Sequence, residues 1–214
     1  VKQRIVETAF NDYLSRIDLG EAELTSLPAS AIQKIVADLA RFKPSALILS
    51  DYNKAVFAKT HAGTQLIRFA NAHQILTVVD PKPVNAHTFV GAHVVCPNVK
   101  EAREIVGASD LTLEELARAL QKKMHARFVV ITCGNNGMVC FDGTQFTHIP
   151  VETMDIVDVT GAGDTVCSLI ALALVSGSSL VDACRIANRG ASLVVQKRGT
   201  ATLTAAELRE AFRI

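Results

Sequence analysis

An α/β fold with a largely parallel sheet covered by helices is predicted by three observations. From Ala46 onward, apolar runs of strand length alternate with longer segments of helical periodicity. Polar residues and glycines fall repeatedly just after those runs, where the carboxyl ends of parallel strands gather and ligands bind. The third observation is Asp158-Val159-Thr160-Gly161-Ala162-Gly163-Asp164, a small-residue turn with an acidic residue at the start of a long apolar segment. Apolar residues make up 49% of the 214 residues and charged residues 20%, enough for a sizeable core in one domain or one domain plus a flap.

Alternation around Arg4-Ile5-Val6 and again at Tyr13-Leu14 predicts one or two opening strands. Pro28 opens a helix through Leu39, with Ile32, Ile35, Val36 and Leu39 on one face. Ala46 to Ser50 predicts a buried strand ending at Asp51, followed by a helix near Thr60 to Ala72. The strand Leu76 to Asp80 runs into the turn Pro81-Lys82-Pro83, and the strand His93 to Cys96 ends at Pro97-Asn98. Helices follow near Val99 to Val106 and Leu113 to Met124, then the strand Phe128 to Thr132, ending at Gly134. Asn135-Asn136-Gly137 favours a turn into the apolar stretch Met138 to Phe141. The helix that starts at Gly161-Ala162-Gly163 closes at Gly177, the next one carries Ala187-Asn188, and Val194 to Thr200 reads as a loop before a short final helix.

The chemistry is legible at the glycine turn. Without bulky side chains, successive N–H groups converge on an anion, and the positive end of the helix dipole adds to the attraction. A carboxylate at Asp164 is electrostatically awkward there unless it takes a proton from a hydroxyl about to attack a phosphoryl group. The structural alternative is that Asp158 or Thr160 caps the helix and the glycines only turn the chain. Asp51, Asp80, Lys82, Asn98, Glu101, Thr132 and Gly134 follow apolar strands and point to one common site, although caps and turns use the same residue types. Asn98 and Glu101 have capping-box spacing, and the same oxygens suit a Mg²⁺ ion that carries nucleotide phosphates.

The net charge of +1, the scattered Lys and Arg and the absence of tryptophan argue against a nucleic-acid partner. No apolar run reaches membrane-spanning length and no signal-peptide core opens the chain, so a cytoplasmic protein with no membrane partner is expected. Cys96, Cys133, Cys140, Cys167 and Cys184 sit in apolar segments without zinc spacing and read as buried thiols.

The string Asp158 to Asp164, with Ser168 beyond it, resembles the second signature of the PfkB/ribokinase family of small-molecule kinases. Leu169 departs from the alanine or glycine that the family prefers, which bears on helix packing. The resemblance implies a ribokinase-like, Rossmann-like three-layer sandwich, with ATP and Mg²⁺ as cofactors. It makes Asp164 the catalytic base, with the amides of Gly161, Ala162 and Gly163 forming the anion hole. Asn98-Val99-Lys100-Glu101 resembles the family's Asn-x-x-Glu motif, so Asn98 and Glu101 are expected to hold Mg²⁺ through water. Thr132-Cys133-Gly134 with Gly137 resembles its nucleotide segment, Asn188 is the implied adenine-pocket residue, and Lys82 is expected to meet phosphate charge, as are Lys54, Lys2 and Arg4. In many relatives the loop after the last long helix donates to a monovalent cation; here that implies K⁺ held by Asp158, Thr160 and the carbonyls of Val194, Lys197 and Gly199.

Within the family, stretches such as Leu49-Ser50-Asp51-Tyr52-Asn53-Lys54, Val79-Asp80-Pro81-Lys82 and Lys197-Arg198-Gly199-Thr200 resemble kinase domains that phosphorylate D-glycero-D-manno-heptose 7-phosphate at its anomeric hydroxyl. Asn53 and Ala55 stand where that subgroup usually has small residues or glycine. The implied partner is a small phosphosugar, and a homodimer is the implied assembly. The whole chain, 1–214, is expected to be one domain resembling the C-terminal two thirds of a family kinase, with 1–20 a remnant of the lid or substrate region. Other readings left open are another ribokinase-like sugar or nucleoside kinase, a non-catalytic nucleotide-binding module, and a structural subunit that pairs through an exposed sheet edge.

Overall fold

The computed structural model describes residues 2–6, 13–18, 26–58, 60–151 and 156–212, the first two stretches by their backbone. Strands β1 (Lys2–Val6) and β2 (Tyr13–Asp18) form an antiparallel pair, as the opening alternation suggests. The side chains of Lys2 and Arg4, expected near phosphate, lie outside what is described.

The rest is one six-stranded sheet with helices on both faces. Helix α1 (Ala29–Phe42) leads to β3 (Ala46–Ser50), α2 (Ala62–Ala72) to β4 (Leu76–Asp80), and a 3₁₀ segment (Pro83–Phe89) to the short β5 (Val94–Val95). Helices α3 (Val99–Val106) and α4 (Leu113–Met124) precede β6 (Phe128–Thr132), which turns back through β7 (Met138–Phe141) and β8 (Phe146–Ile149). Helices α5 (Ala162–Val175), α6 (Leu180–Val194) and α7 (Ala205–Phe212) complete the described chain. The strand order is β3-β4-β5-β6-β7-β8, parallel as far as β6 and antiparallel beyond it.

Pleating sorts the strand residues between two cores. Val79, Val95, Val129, Ile131, Val139 and Phe141 face α1 to α4, whereas Val78, Val94, Val130, Met138 and Cys140 face α5 and α6. The first helix runs beyond Leu39 to Phe42, with Pro28 as its N-cap and Lys43 closing it in a left-handed conformation. The expectation of a buried strand at Ala46 to Ser50 is corrected: β3 is an edge, Ile48 is 39% exposed, and of its five residues only Leu49 is buried. An apolar run does not reveal whether its strand is central or terminal.

Helices α3 and α4 each start with a complete capping box, Asn98 with Glu101 and Thr112 with Glu115. The α5 N-cap is Gly161 itself, at φ +86°, with no side-chain cap, so neither Asp158 nor Thr160 caps the helix. Four of the five cysteines are buried and Cys133 is half-buried. A hydrogen bond with Cys167, together with burial, holds the Cys96 thiol well above its usual range, as befits inert packing.

Candidate active site

Parallel pairing lines up the polar ends of four strands. Ser50 lies opposite Asp80 in register, and an isolated bridge joins Asn98 to Thr132. Beyond this row lies a cavity of about 510 Å³. Ten of the sequence-predicted residues line it: Asp80, Lys82, Asn98, Glu101, Thr132, Gly134, Gly137, Ala162, Gly163 and Asn188. Residues from six elements and their flanking loops are thus brought to one place.

On the β4 side the cavity is charged. Lys82 Nζ lies 2.5 Å from Glu101 Oε1, and Glu101 Oε2 accepts the Asn98 N–H at 3.0 Å. Asn98 Oδ1 in turn accepts the Glu101 N–H at 2.9 Å. Burial pushes the Asp80 carboxyl up to about 6; Lys82 opposes the shift, and Glu101, Asp164 and Asp51 add to it. This cluster has more carboxylates than cations, and its donors are hard oxygens, which fits a Mg²⁺ ion that keeps most of its water. Among the described residues no group of three or more His, Cys, Asp or Glu side chains is arranged to hold a metal by itself.

On the β6 side, Gly134 to Asn136 form a 3₁₀ turn closed by the Cys133 N–H on the Gly137 carbonyl at 2.8 Å, so the turn reading of Asn-Gly holds. Gly137 has its own steric reason: at φ +80°, an added Cβ would sit 2.1 Å from the Ile149 carbonyl oxygen. Close passage of the chain after β8 therefore requires this glycine, whatever lies in the cavity. Asn188, on α6 and buried, donates to the Pro150 carbonyl at 2.9 Å, so it pairs with backbone while lining the cavity.

Asp164 stands in the first turn of α5, next to Gly163, with its carboxylate turned toward β3. Ser50 Oγ donates to Oδ1 at 2.9 Å and the Tyr52 hydroxyl donates to Oδ2. At the turn itself, the Ala162 N–H is bonded to the Val159 carbonyl at 3.2 Å, while the amides of Gly161 and Gly163 meet no backbone acceptor among the described residues. Those two amides are the better anion donors of the three. A Cβ on Gly163 would lie 4.0 Å from Asp80 Oδ2, which places the β4 carboxylate across from the turn.

The residues proposed for K⁺ form a second group. Asp158 accepts the Thr160 N–H at 2.9 Å and the Gly199 N–H at 3.0 Å, clamping the turn to the loop after α6. The Val194 carbonyl accepts the Lys197 amide at 3.0 Å, and the Gly199 carbonyl accepts the Ala201 amide at 3.0 Å. Val195, which sequence reasoning did not single out, accepts both the Val157 and Asp158 amides at 2.8 and 3.0 Å.

Ser50 and Tyr52 were also missed as site residues. Their signal was available: they are two apart at a strand end, and alternate positions share a side. Asp51 between them is structural, 2% exposed and accepting from Asn53 N–H, Lys82 N–H and Asn85 Nδ2.

The chain matches the pfkB family carbohydrate kinases over residues 28–207. The bifunctional protein HldE of Pseudomonas aeruginosa is 36% identical over 216 residues, covering 100% of this chain and 44% of that protein. An uncharacterized sugar kinase of Buchnera aphidicola is 35% identical, covering 94% of this chain and 63% of its own. The chain thus spans less than half the length of the HldE relative. Among solved structures, phosphofructokinase-2 from Escherichia coli in complex with potassium superposes with a TM-score of 0.80 at 18% identity, covering 96% of this chain and 67% of that one. Arabidopsis thaliana ribokinase complexed with ribose and ATP gives 0.74 at 18% identity, with 95% and 66% covered. The chain, with its ribokinase-like α/β fold, belongs to the pfkB family of carbohydrate kinases.

Proposed function

We propose that this chain transfers the γ-phosphoryl group of ATP to the anomeric hydroxyl of D-glycero-D-manno-heptose 7-phosphate, on the route to ADP-heptose. The observation that carries the reaction type is Asp164 at the start of α5, directly after Gly163, which with Ala162 lines the 510 Å³ strand-end cavity. Support for the sugar comes from the sequence stretches already quoted and from the HldE relatives, 34–39% identical over most of this chain.

Nucleotide would lie along the cavity from Asn188 and the Thr132 to Gly137 turn toward Lys82 and the start of α5. Glu101, Asn98 and Asp80 would hold Mg²⁺ through its waters, and the ion supplies charge neutralisation for the phosphates when bound. Asp164 accepts the proton of the acceptor hydroxyl as its oxygen attacks phosphorus. The bond from phosphorus to the bridging oxygen breaks, and that oxygen leaves with ADP. The Gly161 and Gly163 amides stabilise the charge on the transferred group, aided by the helix dipole. By the same family resemblance, the clamp between Asp158, Thr160 and the Val194 to Gly199 loop would hold K⁺ and keep the turn in place.

The test is ADP release from Mg·ATP with heptose 7-phosphate beside a panel of other sugars, with ATP affinity followed by calorimetry. Turnover confined to the heptose supports the proposal, and preference for another sugar replaces the substrate while keeping the reaction. ATP binding without turnover would favour the nucleotide-binding module. Asp164→Asn is expected to lower turnover by about 10²–10⁴-fold while ATP affinity changes little. A full-rate Asp164→Asn protein would overturn the role of the base.

A further inference from the structure

The base is held from outside its own helix. Ser50 Oγ donates to Asp164 Oδ1 at 2.9 Å, the Tyr52 hydroxyl donates to Oδ2, and the two donors sit at the end of the edge strand β3. Both also line a second cavity of about 230 Å³, shared with Asp51, Lys54, Val56 and Phe57. Asp164 therefore stands between two spaces: its neighbour Gly163 borders the larger one and its two donors border the smaller. An exposed aspartate in the first turn of a helix has several staggered rotamers open to it. Two donors on different oxygens select one of them. A carboxylate has about four lone-pair sites, so two remain for an incoming hydroxyl.

We propose that Tyr52, with Ser50, is a positioning residue for Asp164, fixing the carboxylate so that its remaining lone pairs face an acceptor hydroxyl arriving from the β3 side. This rests on the kinase reading above. Two further features fit it. Tyr52 is 53% exposed, so its ring adds little to the core. The backbone just after it is strained: Asn53 and Ala55 adopt φ of +54° and +66°, the left-handed region that side chains disfavour. Such strain persists where surrounding structure holds a chain in a required path. The hydrogen bond to Asp164, with partial burial, also holds the Tyr52 phenol above its ordinary value of 10.0, and Asp80 adds to the effect.

The test has a kinetic arm and a spectroscopic arm. Tyr52→Phe is expected to lower kcat on the order of 10–100-fold, with the KM for sugar and the calorimetric affinity for ATP each within about twofold of the parent. Adding Ser50→Ala should lower kcat further. In the spectroscopic arm, the tyrosinate absorbance of the chain, which has two tyrosines and no tryptophan, is titrated for the parent and for Tyr52→Phe; their difference isolates Tyr52. The same difference in an Asp164→Asn background should show the transition at lower pH. The positioning role is overturned by a Tyr52→Phe kcat within twofold of the parent, by a loss confined to KM, or by a Tyr52 transition indifferent to Asp164→Asn. No turnover with any sugar overturns the kinase reading and the positioning role with it; a transition that still moves would then mark the bond as a structural contact only.

Discussion

The two faces of the sheet are packed by different means. Against α1 to α4 the core is bulky, with Phe57, Phe89 and Phe141 among leucines and isoleucines, and Phe57 meets Phe89 edge-to-face at 4.8 Å. Against α5 and α6 the buried core holds no aromatic ring among the described residues: Cys96, Cys140, Cys167, Cys184, Ala171 and Ala187 pack among valines, isoleucines, Leu180 and Met138. Cys167 and Ala171 of α5 belong to this core, and α5 carries Asp164 at its start. The face with the rings is therefore expected to carry more of the stability, and the thin face, which holds α5, to bear on the distance between the glycine turn and the strand ends. A void on the first should cost stability, and a bulge on the second should disturb placement.

The largest stability effect is expected from Phe89→Ala. Phe89 is fully buried in the bulky core. Its truncation should cost about 3–5 kcal/mol of unfolding free energy, read from the denaturant midpoint at unchanged slope. A loss below about 1 kcal/mol would mean that this face repacks freely, and the contrast between the faces would fail.

Much of the fold is legible in the sequence. Helices α3 and α4 and strand β6 have the bounds that periodicity gave, because each begins and ends at a strong local signal: a capping box, a left-handed residue, or a turn. The cavity lining was legible for a similar reason, since parallel strands put their carboxyl ends together. Pairwise relations across the fold were not legible. Ser50 and Tyr52 are 114 and 112 residues from Asp164, and although their strand-end spacing marks them as facing one side, it does not name Asp164 as the partner. Nor was it evident that Gly137 is required by the chain following β8, or that Asn53 and Ala55 take the left-handed backbone. The left-handed backbone would suit the small residues or glycine that the resembling kinases usually carry there, but φ belongs to the path of the chain and not to residue type alone.

Leu169 illustrates the same limit. Its size, unusual for the family, suggested a packing conflict between helices. In the structure it fits against Gly190 of α6: a Cβ added to Gly190 would lie 2.2 Å from Leu169 Cδ1 and 3.0 Å from Leu203 Cδ2. The large residue on α5 is accommodated by the missing one on α6. Gly190→Ala should therefore destabilise despite the gain of about 0.5–1 kcal/mol in helix propensity, for a net loss of about 1–2 kcal/mol. Leu169→Ala in the same chain should recover much of it, and the double-mutant cycle should show coupling above about 0.5 kcal/mol. Additive losses would mean that the two residues do not share one space and that the spacing of the thin face is set elsewhere.

The smallest effect concerns the outer fastening of that face. Lys197, in the loop after α6, donates to Glu207 of α7 at 2.5 Å, and Glu207 also accepts from the Thr204 N–H at 2.8 Å and hydroxyl at 2.9 Å. The Lys197 hydrogen bond, followed by those from Thr204, holds the Glu207 carboxyl at about 2, below its ordinary 4.5. A depressed folded value means that the unfolded chain binds the proton more readily, so stability rises with pH across this interval. The contribution is present in full above 4.5 and disappears as pH falls toward 2. Glu207→Gln should lower Tm slightly at neutral pH, with the gap closing on acidification through that window and narrowing in high salt, as expected of a pair at the surface. Thermal melts of the two proteins across pH would read this directly. A gap that stays constant down to pH 2 would show that α7 is attached by packing alone, leaving the Gly199 loop and its bond to Asp158 independent of the terminal helix.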